Sequence, residues 1–198
     1  MKHRTPFFPI LLLILIGCQS KSTREVVDPD VGYRTTYTID SKTGVYNGPY
    51  TKTDSAGQVI ERGTMNGGKQ DQIRELYYPD GKVKIRERYV KGRMDDLYEY
   101  FHPNGAIELK GYYVDGEMYG WWSKYDPEGH LLEFVTMIRN EELGPFTEYY
   151  SNGQLKAEGA YLHGPNEDGT LKLYDETGTL IKTMLCNAGR CYTTWQKE

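Results

Sequence analysis

The stretch GPFTEYYSNGQLKAEGAY, residues 144–161, decides the fold of this chain. Its centre, Ser151-Asn152-Gly153, is typical of a tight turn, because Asn caps a turn and Gly supplies a positive φ angle. The residues Tyr149-Tyr150 before this turn are typical of a β-strand. Leu155 and Tyr161 follow it, and their even separation keeps both side chains on one face of a second strand. The stretch therefore predicts a β-hairpin.

The turn of this hairpin recurs along the chain at a fixed interval. One glycine series has a spacing of 24 residues and a last step of 25: Gly57, Gly81, Gly105, Gly129, Gly153 and Gly178. A second series runs in step with it: Gly44, Gly68, Gly92, Gly116, then Asn140 in place of a glycine, then Gly164. Two interleaved series indicate an internal repeat. They predict an all-β fold in which about six antiparallel hairpins form one elongated, twisted meander sheet.

Two further features of the repeat carry expectations about packing. An aromatic column before the first turn series is predicted as the spine of the core: Thr53, Tyr77, Phe101, Tyr125, Tyr149 and Tyr174. The glycine that opens the first strand of a unit is present at Gly48, Gly120 and Gly144, and is replaced by Gln72, Asp96 and Asp168. We expect those three units to pack less closely there.

Three segments resemble the bacterial variant of the MORN repeat that occurs in YwqK-like antitoxins. They are GWWSKYDPEGHL (residues 120–131), the opening stretch (144–161) and YYPDGKVK (77–84), and the resemblance covers about residues 44–195. It implies a protein-interaction or membrane-associated scaffold, and the antitoxin role describes some members. Phosphoinositide binding, which is proposed for eukaryotic relatives, is disfavoured by the acidic charge of this chain.

The first seventeen residues are predicted to be a cleaved lipoprotein signal peptide. Lys2 and Arg4 form a charged start, and the apolar run of residues 7–16 is too short for a helix to span a bilayer. The run ends in LIGC (residues 15–18), which resembles the bacterial lipobox whose Cys18 is acylated. An ordinary secretory signal with a chance Cys is the alternative. The resemblance implies an envelope protein, sorted to the outer membrane by Gln19 in a Gram-negative cell.

The rest of the chain divides into two parts. Residues 18–36 are predicted to be the lipidated Cys and a flexible tether, with an extra edge strand around residues 34–39 as the alternative. Residues 37–198 are predicted to be the repeat domain. After removal of Lys2 and Arg4 the chain has 22 basic and 28 acidic residues, a net charge of −6. This charge excludes nucleic acid as an expected partner.

Cys186 and Cys191 flank the last hairpin turn, where four intervening residues place them opposite each other. A disulfide is the expected state in an oxidising compartment. Two free thiols, or a redox or metal pair, are the alternatives. No metal site is predicted, because no further soft ligands lie nearby.

No catalytic site or cofactor is predicted. The histidines of the mature chain, His102, His130 and His163, adjoin turn residues, and a catalytic group would need three units to converge. The carboxylates are spread through turns and outward positions. Each glycine belongs to the repeat, so no phosphate-binding loop is indicated.

The remaining candidate is a set of aromatic residues in the central units: Tyr98, Tyr100, Trp121, Trp122, Tyr125, Tyr149 and Tyr150. Packing within the sheet is one interpretation, and an exposed binding surface is the other. Trp121 and Trp122 are adjacent, so they point to opposite faces of their strand. The partner would be a protein or a saccharide. We therefore expect a non-enzymatic, membrane-anchored binding module, with a toxin-neutralising immunity protein and an enzyme acting on cell-wall glycans as alternatives.

Overall fold

A computed structural model describes residues 21–198, which form fifteen β-strands joined in chain order into one open sheet. Every pairing between neighbouring strands is antiparallel. The strands are β1 (Lys21–Val27), β2 (Arg34–Asp40), β3 (Tyr46–Thr53), β4 (Val59–Asn66), β5 (Lys69–Tyr77), β6 (Val83–Val90), β7 (Arg93–Phe101), β8 (Ile107–Val114), β9 (Glu117–Tyr125), β10 (Leu131–Ile138), β11 (Glu141–Tyr149), β12 (Leu155–Tyr161), β13 (Gly169–Tyr174), β14 (Leu180–Asn187) and β15 (Arg190–Gln196). The all-β meander prediction is confirmed.

The strand count exceeds the prediction at both ends of the sheet. The six expected hairpins are β3 to β14, and the additional strands are β1, β2 and β15. The prediction of a flexible tether is therefore wrong from Lys21 onward, because β1 pairs with β2 along its whole length. All side chains of β1 are exposed, so this strand lacks the apolar alternation by which a strand is recognised. The signal peptide and Cys18 lie outside the described residues.

Within residues 21–198 there is no helix of the length and apolar character needed to cross a bilayer.

The first turn series uses two kinds of hydrogen bonding. In three turns an Asp at the start accepts from the backbone of its own turn, as Asp126 does from the N–H groups of Glu128 and His130 at 3.1 and 2.8 Å. In the other three turns of this series, the side chain of the first residue forms a hydrogen bond with a backbone carbonyl of the next hairpin. Tyr150, for example, donates its hydroxyl to the carbonyl of Tyr174 at 2.9 Å. These bonds connect successive turns along one margin of the sheet.

The buried column of the sheet lies three residues before the predicted spine. It consists of Tyr50, Arg74, Tyr98, Trp122, Phe146 and Leu171, and three of these six oppose a glycine on the next strand. Tyr50 opposes Gly63, and Phe146 opposes Gly159. The predicted spine residues are only half-buried, because each ends its strand at a turn, and all but Thr53 are paired with a strand on one side alone. That prediction was wrong.

The main core cluster lies in the C-terminal half of the sheet. Its members are Trp122, Val135, Met137, Phe146, Ala157, Leu171 and Cys186. Towards the N-terminus the column is interrupted by Arg74, whose Nε and Nη1 contact Glu61 at 2.9 Å and Glu87 at 3.0 Å. Tyr50 donates its hydroxyl to Glu61 at 2.6 Å. One unit of the repeat is therefore held by a polar network where its neighbours use an aromatic ring over a glycine.

Each first strand of a unit has a residue with positive φ, which in the first five units lies at a bulge in the pairing with the preceding strand. Gly120 has φ 74°, and the replacements Gln72 and Asp96 keep this conformation with φ 62° and 84°. The expectation that Asp168 takes this position is wrong: the last unit is one residue longer, and Gly169 with φ 78° occupies it. The replacements therefore preserve the bulge geometry and carry backbone strain.

Candidate binding surface

The two faces of the sheet differ sharply around β9. Trp122 is 2% exposed and belongs to the core cluster, whereas Trp121 is 51% exposed. The expectation that the two adjacent indoles point to opposite faces is confirmed. We call the side that buries Trp122 the core face and the side that carries Trp121 the outer face.

The outer face carries an aromatic cluster on three consecutive strands, in which three rings are exposed and Phe134 is half-buried. Trp121 of β9 stacks on Phe134 of β10, with ring centroids 4.7 Å apart and an interplanar angle of 15°. Tyr112 of β8 lies directly opposite Tyr119 of β9, and both are exposed. We call Tyr112, Tyr119, Trp121 and Phe134 the outer aromatic surface. Contiguous exposed rings of this kind are a feature of binding sites.

A shallow cavity of about 550 Å³ adjoins this surface across β6 to β9. Besides the exposed rings, its walls include Val90, Val114, Arg88, Asp95 and Asp96. Arg88 Nε and Asp96 Oδ2 lie 3.4 Å apart, and both side chains are about half exposed. The cavity lining thus combines aromatic rings with a few charged groups, the usual composition of a ligand site.

The bulge at Gly120 sets the orientation of these rings. The register between β8 and β9 shifts between Lys110 and Tyr112, where Gly120 takes its positive φ. A bulge bends its strand and re-aims the side chains on either side. Tyr119 and Trp121 flank Gly120 in sequence, so the bulge determines where both rings stand on the outer face.

A ladder of alternating charge crosses the outer face beside the aromatic surface. Its members oppose one another on five successive strands: Arg62, Glu75, Arg86, Glu99 and Lys110. Arg86 contacts Glu75 through Nε at 2.9 Å and Glu99 through Nη1 at 3.3 Å. Burial raises the pKa of Glu75, but hydrogen bonds from Tyr77 and Arg86 outweigh it and leave the pKa lowered. With three basic and two acidic residues in alternation, the ladder offers no strong field of one sign.

Among the seven aromatic residues predicted for binding, the structure exposes Trp121 alone. Trp122 is buried, and Tyr98 packs against it with ring centroids 5.6 Å apart. Burial raises the pKa of Tyr98 to about 12. Tyr150 is half-buried and bonds to the next turn, and half-buried positions are also taken by the remaining three: Tyr100, Tyr125 and Tyr149.

Sequence reasoning missed Tyr112, Tyr119 and Phe134. A signal for the first two was present, because Tyr119 is two residues from Trp121 and Tyr112 lies across the Asp115-Gly116 turn from it. Residues at equal distances from a two-residue turn face each other in the hairpin, so Tyr112 and Tyr119 could have been predicted to pair. Phe134 required the register of β9 with β10, which contains a bulge that the sequence does not reveal.

The two cysteines of the described chain form a disulfide. Cys186 of β14 and Cys191 of β15 lie opposite each other and are bonded. Cys186 is also part of the core cluster, with 3% of its surface exposed. The bond therefore fixes the last strand to the core cluster.

The histidines lie at turns, as the sequence indicated. His130 Nδ1 is 3.0 Å from Asp126 Oδ2, and His102 Nδ1 is 3.2 Å from Glu108 Oε2. The part of the chain from residue 21 onward contains no group of three or more His, Cys, Asp or Glu side chains that could hold a metal ion.

Comparison with known proteins supports the repeat assignment. The family described as "MORN repeat variant" matches residues 73–91, within the β5–β6 hairpin, and residues 142–163, which span the β11–β12 hairpin. No curated protein sequence matches the chain. A solved structure titled "Crystal Structure of TarM" is similar over 61% of this chain and 20% of that chain, at 15% identity and a TM-score of 0.29. This chain thus spans a fifth of that protein, and so low a score carries no argument about fold or function. The two family matches, in contrast, coincide with hairpins of the observed sheet, and the chain therefore carries the MORN repeat variant at two places, which supports a MORN-repeat protein.

Proposed function

We propose that this protein is a non-enzymatic binding or scaffold module of the bacterial cell envelope, anchored to a membrane by lipid on Cys18. The observation that carries the binding function is the division of roles between two adjacent indoles. Trp122 provides the core, whereas Trp121 is half exposed and stacked on Phe134 in the outer aromatic surface. A sheet that needed both indoles for packing would not leave one of them on an open face.

The anchoring proposal rests on the order of features at the N-terminus. A charged start, a short apolar run and the sequence LIGC lead to Cys18, and β1 begins three residues later at Lys21. Three residues span at most about 11 Å. Lipid on Cys18 would therefore hold the β1 edge of the sheet at the membrane surface. Two or more acyl chains bind a membrane stably, whereas a single chain binds weakly.

The dimensions of the sheet suit a scaffold that extends from its anchor. Fourteen strand-to-strand steps separate β1 from β15. At roughly 4.8 Å a step this amounts to about 67 Å, and the aromatic surface near β9 is about 38 Å from β1. The proposed binding surface is thus separated from the proposed anchor by eight strands.

The test of the binding function is chemical cross-linking in native cells, followed by mass spectrometry of the captured partners. The Trp121→Ala variant should lose its specific partners, whereas Trp195→Ala should retain them. Trp195 is a matched control because it is also an exposed indole, at 46%, and lies on the distant strand β15. Partners that persist unchanged in Trp121→Ala would refute binding through the outer aromatic surface.

A further inference from the structure

The outer face carries an apolar row that runs along the axis of the repeat. Ile73, Leu97, Trp121 and Pro145 follow one another at intervals of 24 residues, each on the first strand of its hairpin. Each opposes an outer-face residue of the next strand, as Leu97 opposes Tyr112. Ile73, Trp121 and Tyr112 are exposed. We call Ile73, Leu97, Trp121 and Pro145 the outer row.

The spacing of this row matches one extended polypeptide conformation. Neighbouring members are two strands apart, which corresponds to about 9.6 Å at about 4.8 Å a strand. A polyproline II helix has three residues per turn and rises about 3.1 Å per residue, so its side chains return to one face every 9.3 Å or so. A proline-rich segment lying across the strands would therefore present one apolar contact to each hairpin.

The chemistry of the cavity suits the same ligand. A polyproline II segment has no internal hydrogen bonds, so its carbonyl groups are free to accept. The hydroxyls of Tyr112 and Tyr119 and the indole N–H of Trp121 are donors at the cavity. Aromatic grooves that bind proline-rich segments use this combination, and they exploit the low entropy of a preformed helix.

The charges at the cavity favour a basic residue in the ligand. Two carboxylates, Asp95 and Asp96, line it together with one cation, Arg88. Asp95 also borders a second cavity together with Lys69, Lys91 and Arg93. In the cavity beside the outer aromatic surface, Arg88 pairs with Asp96, which leaves the charge of Asp95 in excess there. A Lys or Arg beside the prolines would neutralise it.

Other modes of peptide binding fit this surface less well. An extended peptide that adds a strand needs the free edge of a sheet, but β8 and β9 are paired on both sides. An amphipathic helix repeats its apolar contacts about every turn, roughly 5.4 Å apart, which does not match the spacing of the outer row.

We propose that the outer row and its cavity bind a proline-rich protein segment in the polyproline II conformation, with a basic residue at the end that meets Asp95. This proposal rests on the proposed binding function and names the chemistry of the partner.

The test is a titration of the full-length protein, solubilised in detergent, against a fluorescent peptide of eight prolines followed by arginine. Binding should be saturable. Trp121→Ala and Tyr119→Ala should each raise Kd by about tenfold or more, as is usual for a central aromatic anchor, while Trp195→Ala leaves it unchanged. Circular dichroism of each variant confirms that the sheet is retained.

Two further measurements test the polyproline II conformation and the basic residue of the ligand separately. A peptide in which alternate prolines are glycines should bind at least about fivefold more weakly, because it loses the preformed helix. Asp95→Asn should weaken binding of the arginine peptide and leave a version ending in alanine unaffected.

The peptide proposal is overturned if the proline peptide does not bind, or binds equally to Trp121→Ala. Trp121-dependent binding of chitohexaose in place of the peptide would also overturn it and would identify a glycan site. Failure of the binding function itself looks different: cellular cross-links would then be the same in wild type and Trp121→Ala.

Discussion

The indole of Trp122 on β9 covers Gly111 on β8, in the space where a side chain at residue 111 would begin. Gly111 has an ordinary negative φ, so it is required for close approach and not for a turn. Tyr50 and Phe146 cover Gly63 and Gly159 in the same manner. An aromatic ring over a glycine is thus the packing unit that the repeat uses in place of a second layer.

We expect Gly111→Ala to lower the free energy of unfolding by about 1–3 kcal/mol, because the new methyl group would overlap the Trp122 ring. Urea denaturation of the two single variants and the double variant measures the coupling. In the Trp122→Ala background the cost of Gly111→Ala should fall by at least about 1 kcal/mol. Equal costs in both backgrounds would show that the ring does not restrict residue 111.

Trp122 and Trp121 should differ in what they contribute to stability. Trp122→Ala should cost about 3–5 kcal/mol, as expected for a fully buried aromatic side chain. Trp121→Ala should cost about 1 kcal/mol or less, because its indole is 51% exposed. Thermal and urea unfolding of both variants test this. Comparable losses would contradict the assignment of the two rings to different faces.

Gln72→Gly should stabilise the protein. Gln72 is exposed and has φ 62°, a conformation that costs a residue with a Cβ about 1–2 kcal/mol. Glycine removes this cost and adds a smaller entropic one, for a net gain of about 0.5–1 kcal/mol. Lys69→Gly, on the same strand at an ordinary φ, is the control and should destabilise. A loss of stability in Gln72→Gly would mean that the backbone at residue 72 is not strained.

These residues show how far the sequence determines the fold and where it stops. Turn chemistry is local, so the glycine intervals place every hairpin from β3 to β14 correctly. The register between neighbouring strands is not set by local sequence, and a shift of one residue moves every side chain of a strand to the opposite face of the sheet. Each hairpin contains bulges, as between Lys52 and Thr53, that the glycine intervals do not report. The predicted spine was therefore three residues from the buried column.

The candidate site was predictable only in part, for the same reason. Adjacent side chains in a strand point to opposite faces of the sheet. The sequence Trp121-Trp122 was therefore enough to predict that one of the two indoles is exposed. Which of the two is exposed depends on the bulge at Gly120 and on the register with β10. The stacking of Trp121 on Phe134 depends on the same register.

Arg74 should make the stability of the sheet sensitive to acid. Burial raises the pKa of Glu61, but hydrogen bonds from Arg74 and Tyr50 outweigh it, and the folded-state pKa is lowered. A carboxyl group whose pKa is lower in the folded state stabilises the fold at every pH above its unfolded-state pKa, which is about 4.3 for Glu. This stabilisation is lost as the pH falls through the folded-state pKa. Urea denaturation between pH 7 and 3 should therefore show stability decreasing below about pH 5.

Arg74→Met should remove that contribution and cost about 3 kcal/mol at pH 7, since the buried Glu87 and the mostly buried Glu61 would then lose the cation that they share. Its stability should rise as the pH falls from 7 to 4, because protonation relieves the unpaired carboxylates. The double variant Arg74→Tyr with Glu87→Gly, which copies the aromatic-over-glycine unit, should be more stable than either single variant. A pH profile for Arg74→Met parallel to that of wild type would refute the network.

Cys191→Ser should loosen one end of the sheet and leave the other unchanged. The disulfide closes a short loop, and losing it costs about 2 kcal/mol on the chain-entropy account. Because β15 is an edge strand with mostly exposed side chains, much of its attachment depends on this bond. Amide hydrogen exchange should accelerate in β15, by about tenfold or more where local opening governs exchange. The opposite edge strand β1 serves as the internal control, and its exchange should not change. Acceleration in both strands would indicate global unfolding, and unchanged exchange in β15 would show that backbone pairing with β14 suffices to hold it.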